Sequence, residues 1–160
     1  MAPATSVKLS MASEIRLVDL VHEASQKMAE IAGLEEDAAL NVALAVREAV
    51  INAITHGNQK DPERTVDLTL TANGSGIVVT IRDQGEGFDP AGTRDPRSAE
   101  NLLRSSGRGL LLIRAFVDEV KFRKRRGRGM EVTLVKRNPP TSAAVAESIH
   151  PAGRNQGGAR

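Results

Sequence analysis

Residues 65–82 read TVDLTLTANGSGIVVTIR, and this stretch is the most informative about the fold. Polar and apolar side chains alternate over residues 65–72, and residues 77–82 are rich in β-branched side chains, both of which are typical of half-buried strands. The intervening Asn73-Gly74-Ser75-Gly76 has the composition of a turn. The stretch therefore predicts a β-hairpin with one buried face against which other elements must pack.

Two helices are predicted before this hairpin. Ser13 is a candidate N-cap for a helix over residues 13–32, which Gly33 would stop. Acidic residues at 35–37 suit the start of a second helix, which continues to about residue 55 and is apolar on nearly every side. A helix with this pattern is expected to be buried between layers.

The chain outside these elements predicts the rest of a compact domain. Residues 7–11 suit a short edge strand, residues 107–117 a third helix, and residues 118–136 a second hairpin. Residues 83–106 have no periodicity, and a loop of that length is usually functional, often as a lid. The predicted fold is an α+β two-layer sandwich, with the helices on one face of a mixed, mostly antiparallel sheet.

The expected domain organisation is a flexible N-terminus at residues 1–5, one domain at 6–137 and a disordered tail at 138–160. The 160 residues include no Cys, Trp or Tyr, which excludes disulfides and thiolate metal sites and makes a base-stacking platform improbable. No secretory signal or membrane span is readable, so the cytoplasm is the expected location.

Charge is distributed unevenly along the sequence. Residues 1–100 carry nine Lys or Arg and 16 Asp or Glu, whereas residues 101–137 carry 11 and three. The basic second hairpin is suited to nucleic acid or to an acidic partner. A solvated hairpin with charged edge residues is the favoured interpretation, and direct nucleic-acid binding is not expected.

Three clusters of residues break their local pattern. Glu48 and Asn52 lie four positions apart on the second helix, so they project from one face, where Glu48 could act as a general base and Asn52 could bind Mg²⁺. The alternative is a satisfied pair, either a Glu48–Asn52 hydrogen bond or a Glu48–Arg47 ion pair.

The second cluster is Asp83-Gln84-Gly85-Glu86-Gly87, directly after a strand. Asp83 could accept a hydrogen bond from an exocyclic amine such as adenine N6, and Gly85 and Gly87 allow close approach of a ligand. The alternative is an ordinary glycine-rich turn.

The third cluster is Ser105-Ser106-Gly107-Arg108-Gly109, at the start of the third predicted helix. Free backbone N–H groups there could bind phosphate, and Arg104 or Arg108 could add positive charge. The alternative is a Ser N-cap followed by permissive glycines.

In their order and spacing the three clusters resemble the GHKL ATPase superfamily, and within it the bacterial anti-sigma factors of the serine-protein-kinase type. The resembling stretches are residues 47–58, 83–90 and 107–120, and the likeness in layout covers about residues 6–137.

The resemblance implies ATP and Mg²⁺ as cofactors and gives each matching residue a role. Glu48 would be the catalytic base, Asn52 the Mg²⁺ ligand and Asp83 the adenine-binding residue, helped by Gly87. Gly107 and Gly109 would line the triphosphate, and Ser105 and Ser106 would belong to an ATP lid.

Two positions depart from the family pattern. Met130 follows Gly129 where the family often has Thr, so a hydroxyl near adenine is absent. The segment before Gly107 reads Arg-Ser-Ser, which leaves open which Arg meets the γ-phosphate.

The function implied by the resemblance is that of an ATP-dependent serine-protein kinase and anti-sigma factor. It would switch between a sigma factor and a STAS-type antagonist that carries the substrate serine, and it would act as a homodimer. An ATP-gated binding protein without kinase activity is the alternative. A histidine kinase core is less favoured, because only His22 precedes Glu48 as a phospho-acceptor.

Overall fold

The computed structural model describes residues 3–86 and 109–140. The predicted lid from residue 87 onward, with Gly87, Ser105, Ser106, Gly107 and Arg108, lies outside the described residues, as does the tail from residue 141. The strands are β1 (Thr5–Ala12), β2 (Thr65–Asn73), β3 (Gly76–Arg82), β4 (Glu119–Lys124) and β5 (Met130–Arg137). The α-helices are α1 (Val18–Ile31), α2 (Glu36–Asn52) and α3 (Gly109–Phe116).

The five strands form one sheet in the order β1-β2-β3-β5-β4, and every pairing is antiparallel. Both predicted hairpins are confirmed, and β1 lies at the edge of the sheet as expected. The register places Leu68 opposite Ile81 and Val79 opposite Leu134, so one face of the sheet is continuously aliphatic and buried. The predicted α+β sandwich is confirmed.

The three helices cover that aliphatic face. α2 packs against both α1 and α3, and its residues Val42, Val46 and Val50 are almost completely buried. The sequence pattern predicted a helix buried on nearly every side, but Leu40 is 39% exposed, so one side of α2 faces solvent. The segment Glu36–Gly57 is long and apolar enough to pass as a membrane span, but core helices of soluble proteins have the same property and half of its apolar window is buried here.

The start of α1 differs from the prediction. Ser13 does not cap α1, because a 3₁₀ turn at Ile15–Leu17 precedes the helix. The Ser13 hydroxyl instead donates to the carbonyl of Arg64 at 2.8 Å and accepts from Asn58 Nδ2 at 2.8 Å. Ser13 therefore bonds to residues distant in the sequence and not to the backbone of the helix that follows it. The stop at Gly33 is confirmed, with a φ of +88° directly after the helix.

Candidate nucleotide site

A cavity of about 190 Å³ opens between the end of α2, the start of α3 and strands β3 to β5. It is several times larger than the roughly 30 Å³ that one water molecule occupies, so it can admit a ring-sized ligand. Most of its wall is apolar: Ala49, Ala53, Ile81, Leu110, Ile113, Phe122, Met130 and Val132. A few polar residues lie among these: Asn52, His56, Gln59, Asp83 and Glu86. An apolar wall with few polar groups is typical of small-molecule sites.

Helix α2 ends at this cavity in a π turn, Ala53–Gly57, in which Asn58 N donates to the Ala53 carbonyl at 2.7 Å. Gln59 and Lys60 follow with φ values of 54° and 57°. Left-handed backbone at residues other than glycine costs on the order of 1 kcal/mol each and concentrates at functional sites, as do π turns. This irregular exit positions Gly57 against Asp83 and Gln59 in the cavity wall.

Asp83 follows β3 and is buried, with 6% of its surface exposed. Its Oδ1 accepts backbone hydrogen bonds from Gly85 at 2.9 Å and from Met130 at 3.1 Å. Its Oδ2 lies so close to Gly57 that a Cβ on residue 57 would overlap it. Burial raises the pKa of Asp83, and the two backbone N–H groups offset part of that rise. One oxygen is thus committed to the backbone and the other lies at the cavity wall.

Asn58 is fully buried and holds this region together. Its Oδ1 accepts from the backbone N–H of Gln84 at 2.7 Å, and its Nδ2 donates to the carbonyl of Thr65 at 2.9 Å as well as to Ser13. Gln84 completes the set by accepting from the Thr65 backbone N–H at 2.7 Å. No separate role was predicted for Asn58, because its partners are distant along the chain.

Asn52 and Glu48 occupy different positions relative to the cavity. Asn52 lines it, and the Asn52 Oδ1 atom is buried without a hydrogen-bond partner in the described part of the chain. Glu48 lies one turn earlier on α2, half-buried, outside the described lining residues. Among the described residues Arg47 pairs with Asp19 rather than with Glu48, and Asn52 Oδ1 has no hydrogen-bond partner.

The remaining predicted residues fall on the same side of the domain where they are described. Gly85 is buried so closely against Gly57 that a side chain would overlap the carbonyl of Gly57. Gly109 is the buried first residue of α3, next to Leu110 in the cavity wall. Residues 3–86 and 109–140 contain no group of three or more acidic or histidine side chains suited to a metal.

Residues 11–136 match the family described as the histidine kinase-like ATPase domain. The chain belongs to this family. The match spans both halves of the cavity, from α2 to β5.

Two relatives with assigned functions show which members of the family this chain is similar to. The chain is 33% identical to the Anti-sigma F factor of Anoxybacillus flavithermus over 102 residues, which is 62% of this chain and 70% of the relative. It is 28% identical to the Serine-protein kinase RsbW of Staphylococcus epidermidis over 137 residues, 81% of this chain and 85% of the relative. The resemblance to GHKL ATPases, and within them to anti-sigma factors and serine-protein kinases, is confirmed.

The departure at residue 130 has a structural consequence. The backbone N–H of Met130 bonds Asp83, while its side chain is 5% exposed and forms part of the apolar wall. This position therefore supplies apolar contact and no hydroxyl.

Proposed function

We propose that this chain is an ATP-binding anti-sigma factor with serine-protein kinase activity, which switches between a sigma factor and a STAS-type antagonist. The family match and the names of its relatives support the class of activity. The observation that carries the proposal is the placement of Asn52 and Asp83 on the wall of one apolar cavity, although 31 positions separate them in the sequence.

Adenine would occupy the apolar part of the cavity. Asp83 Oδ1 is already bonded to two backbone N–H groups, so Oδ2 is the oxygen left to accept the adenine amine. The side chains of Ile81, Ile113 and Met130 would contact the faces of the ring. The polar end would then extend from Asn52 toward the start of α3, where Gly109 would approach the phosphates with Gly107.

A magnesium ion fits the Asn52 side of the cavity. Mg²⁺ prefers oxygen ligands and is often bound by one or two protein groups together with substrate phosphates. A buried amide oxygen without a partner is costly, and a cation would satisfy it. The ion would offset charge on the β- and γ-phosphates during transfer.

Glu48 would act as the general base. It would take the proton of a serine hydroxyl on the partner as that oxygen bonds to the γ-phosphorus and the bond to ADP breaks. The predicted roles around the triphosphate stay with Ser105, Ser106 and Arg108, and the predicted role beside adenine stays with Gly87.

The proposal is tested by incubating the protein with ATP, Mg²⁺ and purified STAS-type antagonists. We expect transfer of one phosphoryl group to a serine of a cognate antagonist, and a loss of about 100-fold or more in Glu48→Gln with ATP binding retained. Glu35→Gln, at the exposed start of the same helix, is the matched control and should transfer normally.

A second candidate is an ATP-gated binding protein without transfer. The position of Glu48 outside the described cavity wall favours it. ATP-dependent binding of a sigma factor or antagonist with no phosphoserine formed would overturn the kinase proposal. Transfer that Glu48→Gln leaves unchanged would overturn the assignment of Glu48 as the base. The homodimer, the cytoplasmic location and the absence of nucleic-acid binding stay predictions, which light scattering, fractionation and DNA titration would test.

A further inference from the structure

A second concavity, of about 480 Å³, lies beside the nucleotide cavity and shares its 83–86 segment. We call it the arginine groove, and it is lined by Asp61, Glu63, Arg64, Gln84, Arg125, Arg126 and Arg128. Its lining residues lie in the turn before β2, in the segment after β3 and in the turn between β4 and β5. Its lining carries four guanidinium groups and two carboxylates.

The four arginines are not equally neutralised. Arg64 pairs with Asp61 at 3.4 Å, and Arg128 pairs with Glu86 at 3.2 Å. Arg125 donates to the uncharged carbonyl of Asp83 at 2.8 Å, and Arg126 is exposed with no carboxylate partner in residues 3–86 and 109–140. The Asp83 carboxylate also attracts Arg125, so the least compensated positive charge of the groove is that of Arg126.

We propose that the arginine groove binds an acidic segment of a protein partner. Guanidinium groups bind carboxylates through two parallel hydrogen bonds, so Arg125 and Arg126 suit successive acidic side chains. A nucleic acid fits less well, because Asp61 and Glu63 would repel its phosphates and no aromatic residue lines the groove for base stacking.

The groove is also coupled to the nucleotide cavity. Arg125 holds the carbonyl of Asp83, and Arg128 holds Glu86, which lines that cavity. An acidic occupant competes for both guanidinium groups and so changes the support of the 83–86 segment. Because coupling between binding sites is reciprocal, ATP alters peptide affinity by the same factor as peptide alters ATP affinity. This coupling rests on the proposed nucleotide site, whereas groove binding does not.

The test uses the full chain and a fluorescent 12-residue peptide of alternating Glu and Ser, with the Gln/Ser peptide as its neutral control. Anisotropy titrations at low salt compare the wild type with Arg126→Glu and with Lys124→Glu. Lys124 is exposed, carries the same charge two residues away and does not line the groove. We expect Arg126→Glu to weaken acidic-peptide binding at least tenfold and Lys124→Glu by less than threefold.

Equal losses in the two variants, or equal binding of the acidic and neutral peptides, would overturn the proposal. It would also fail if a 12-nucleotide single strand bound more tightly than the acidic peptide and lost that binding in Arg126→Glu. The coupling is measured by ATP titration with and without saturating peptide, where we expect at least a threefold change. No change would refute the coupling alone, and absent ATP binding would refute the nucleotide site while leaving the groove supported by the peptide result.

Discussion

Replacing Asp83 with Asn separates the binding role of this residue from its structural role. The amide oxygen of Asn can still accept the two backbone hydrogen bonds that Asp83 Oδ1 now accepts from Gly85 and Met130. The amide NH₂ replaces Oδ2 beside Gly57. The fold is thus retained, while a hydrogen-bond acceptor for the adenine amine becomes a donor.

The expected loss follows from the charge on the lost acceptor. A hydrogen bond to a charged group contributes about 1.5–3 kcal/mol, so ATP should bind roughly 10- to 150-fold more weakly in Asp83→Asn. The free energy of unfolding at neutral pH should stay within about 1 kcal/mol of the wild type or rise, because a buried charge has been removed.

The pH dependence of stability follows from the same residue. Burial raises the pKa of Asp83 above its ordinary value of 3.8. Its contribution to stability is therefore complete below that ordinary value and is lost as the pH rises through the raised pKa. Asp83→Asn should remove this loss.

Calorimetric ATP titration and urea unfolding measure the two effects. Asp67→Asn is the matched control, since Asp67 lies on the opposite face of the sheet and accepts from Ser10 Oγ at 2.6 Å. It should bind ATP like the wild type. An Asp83→Asn protein that is folded and binds ATP within threefold of the wild type would refute the assigned role of Asp83.

Three further changes test the cavity and one tests an ion-pair cluster. Gly57→Ala should weaken ATP binding at least tenfold in a titration, because the added Cβ overlaps the Asp83 carboxylate. Asn52→Ala should abolish the Mg²⁺ dependence of ATP affinity while leaving urea stability within about 1 kcal/mol, since Oδ1 loses no hydrogen bond. Asn58→Ala should lower the unfolding free energy by about 2–4 kcal/mol, because three partners of this buried side chain lose their bonds. Burial alone would raise the pKa of Glu131, but hydrogen bonds from Arg82 and Arg123 hold that pKa below its ordinary value. Glu131→Gln should therefore lower the free energy of unfolding by about 1 kcal/mol at pH 7. This difference from the wild type should vanish as the pH falls through the lowered pKa.

The strands could be predicted from the sequence because their determinants are local. The alternation of residues 65–72 and the glycines of the following turn specify a hairpin without reference to the rest of the chain. The end of α1 at Gly33 was predictable for the same reason. The start of α1 was not, because Ser13 found its partners in Arg64 and Asn58.

In the candidate site, too, the residues that could be predicted are those with local determinants. Asn52 and Asp83 were recognisable because a polar residue on an apolar helix and an acid after a strand both break a pattern. The π turn, the left-handed pair after it and the hydrogen bonds of Asn58 were not recognisable, because each depends on contacts between segments that only the fold brings together. The basic hairpin that supplies Arg125, Arg126 and Arg128 was recognisable from the sequence, but the arginine groove was not, since its lining comes from three separated segments.

The central claim is that an adenine nucleotide occupies the cavity between α2 and the sheet. A ¹H–¹⁵N NMR titration with ATP and Mg²⁺ tests it residue by residue. We predict saturable shifts at one equivalent for the amides of Gly57, Gly85, Gly109 and Met130, with Thr71 on the opposite face of the sheet unmoved. Saturable binding that leaves those four amides unmoved, or no binding at millimolar ATP, would contradict the account.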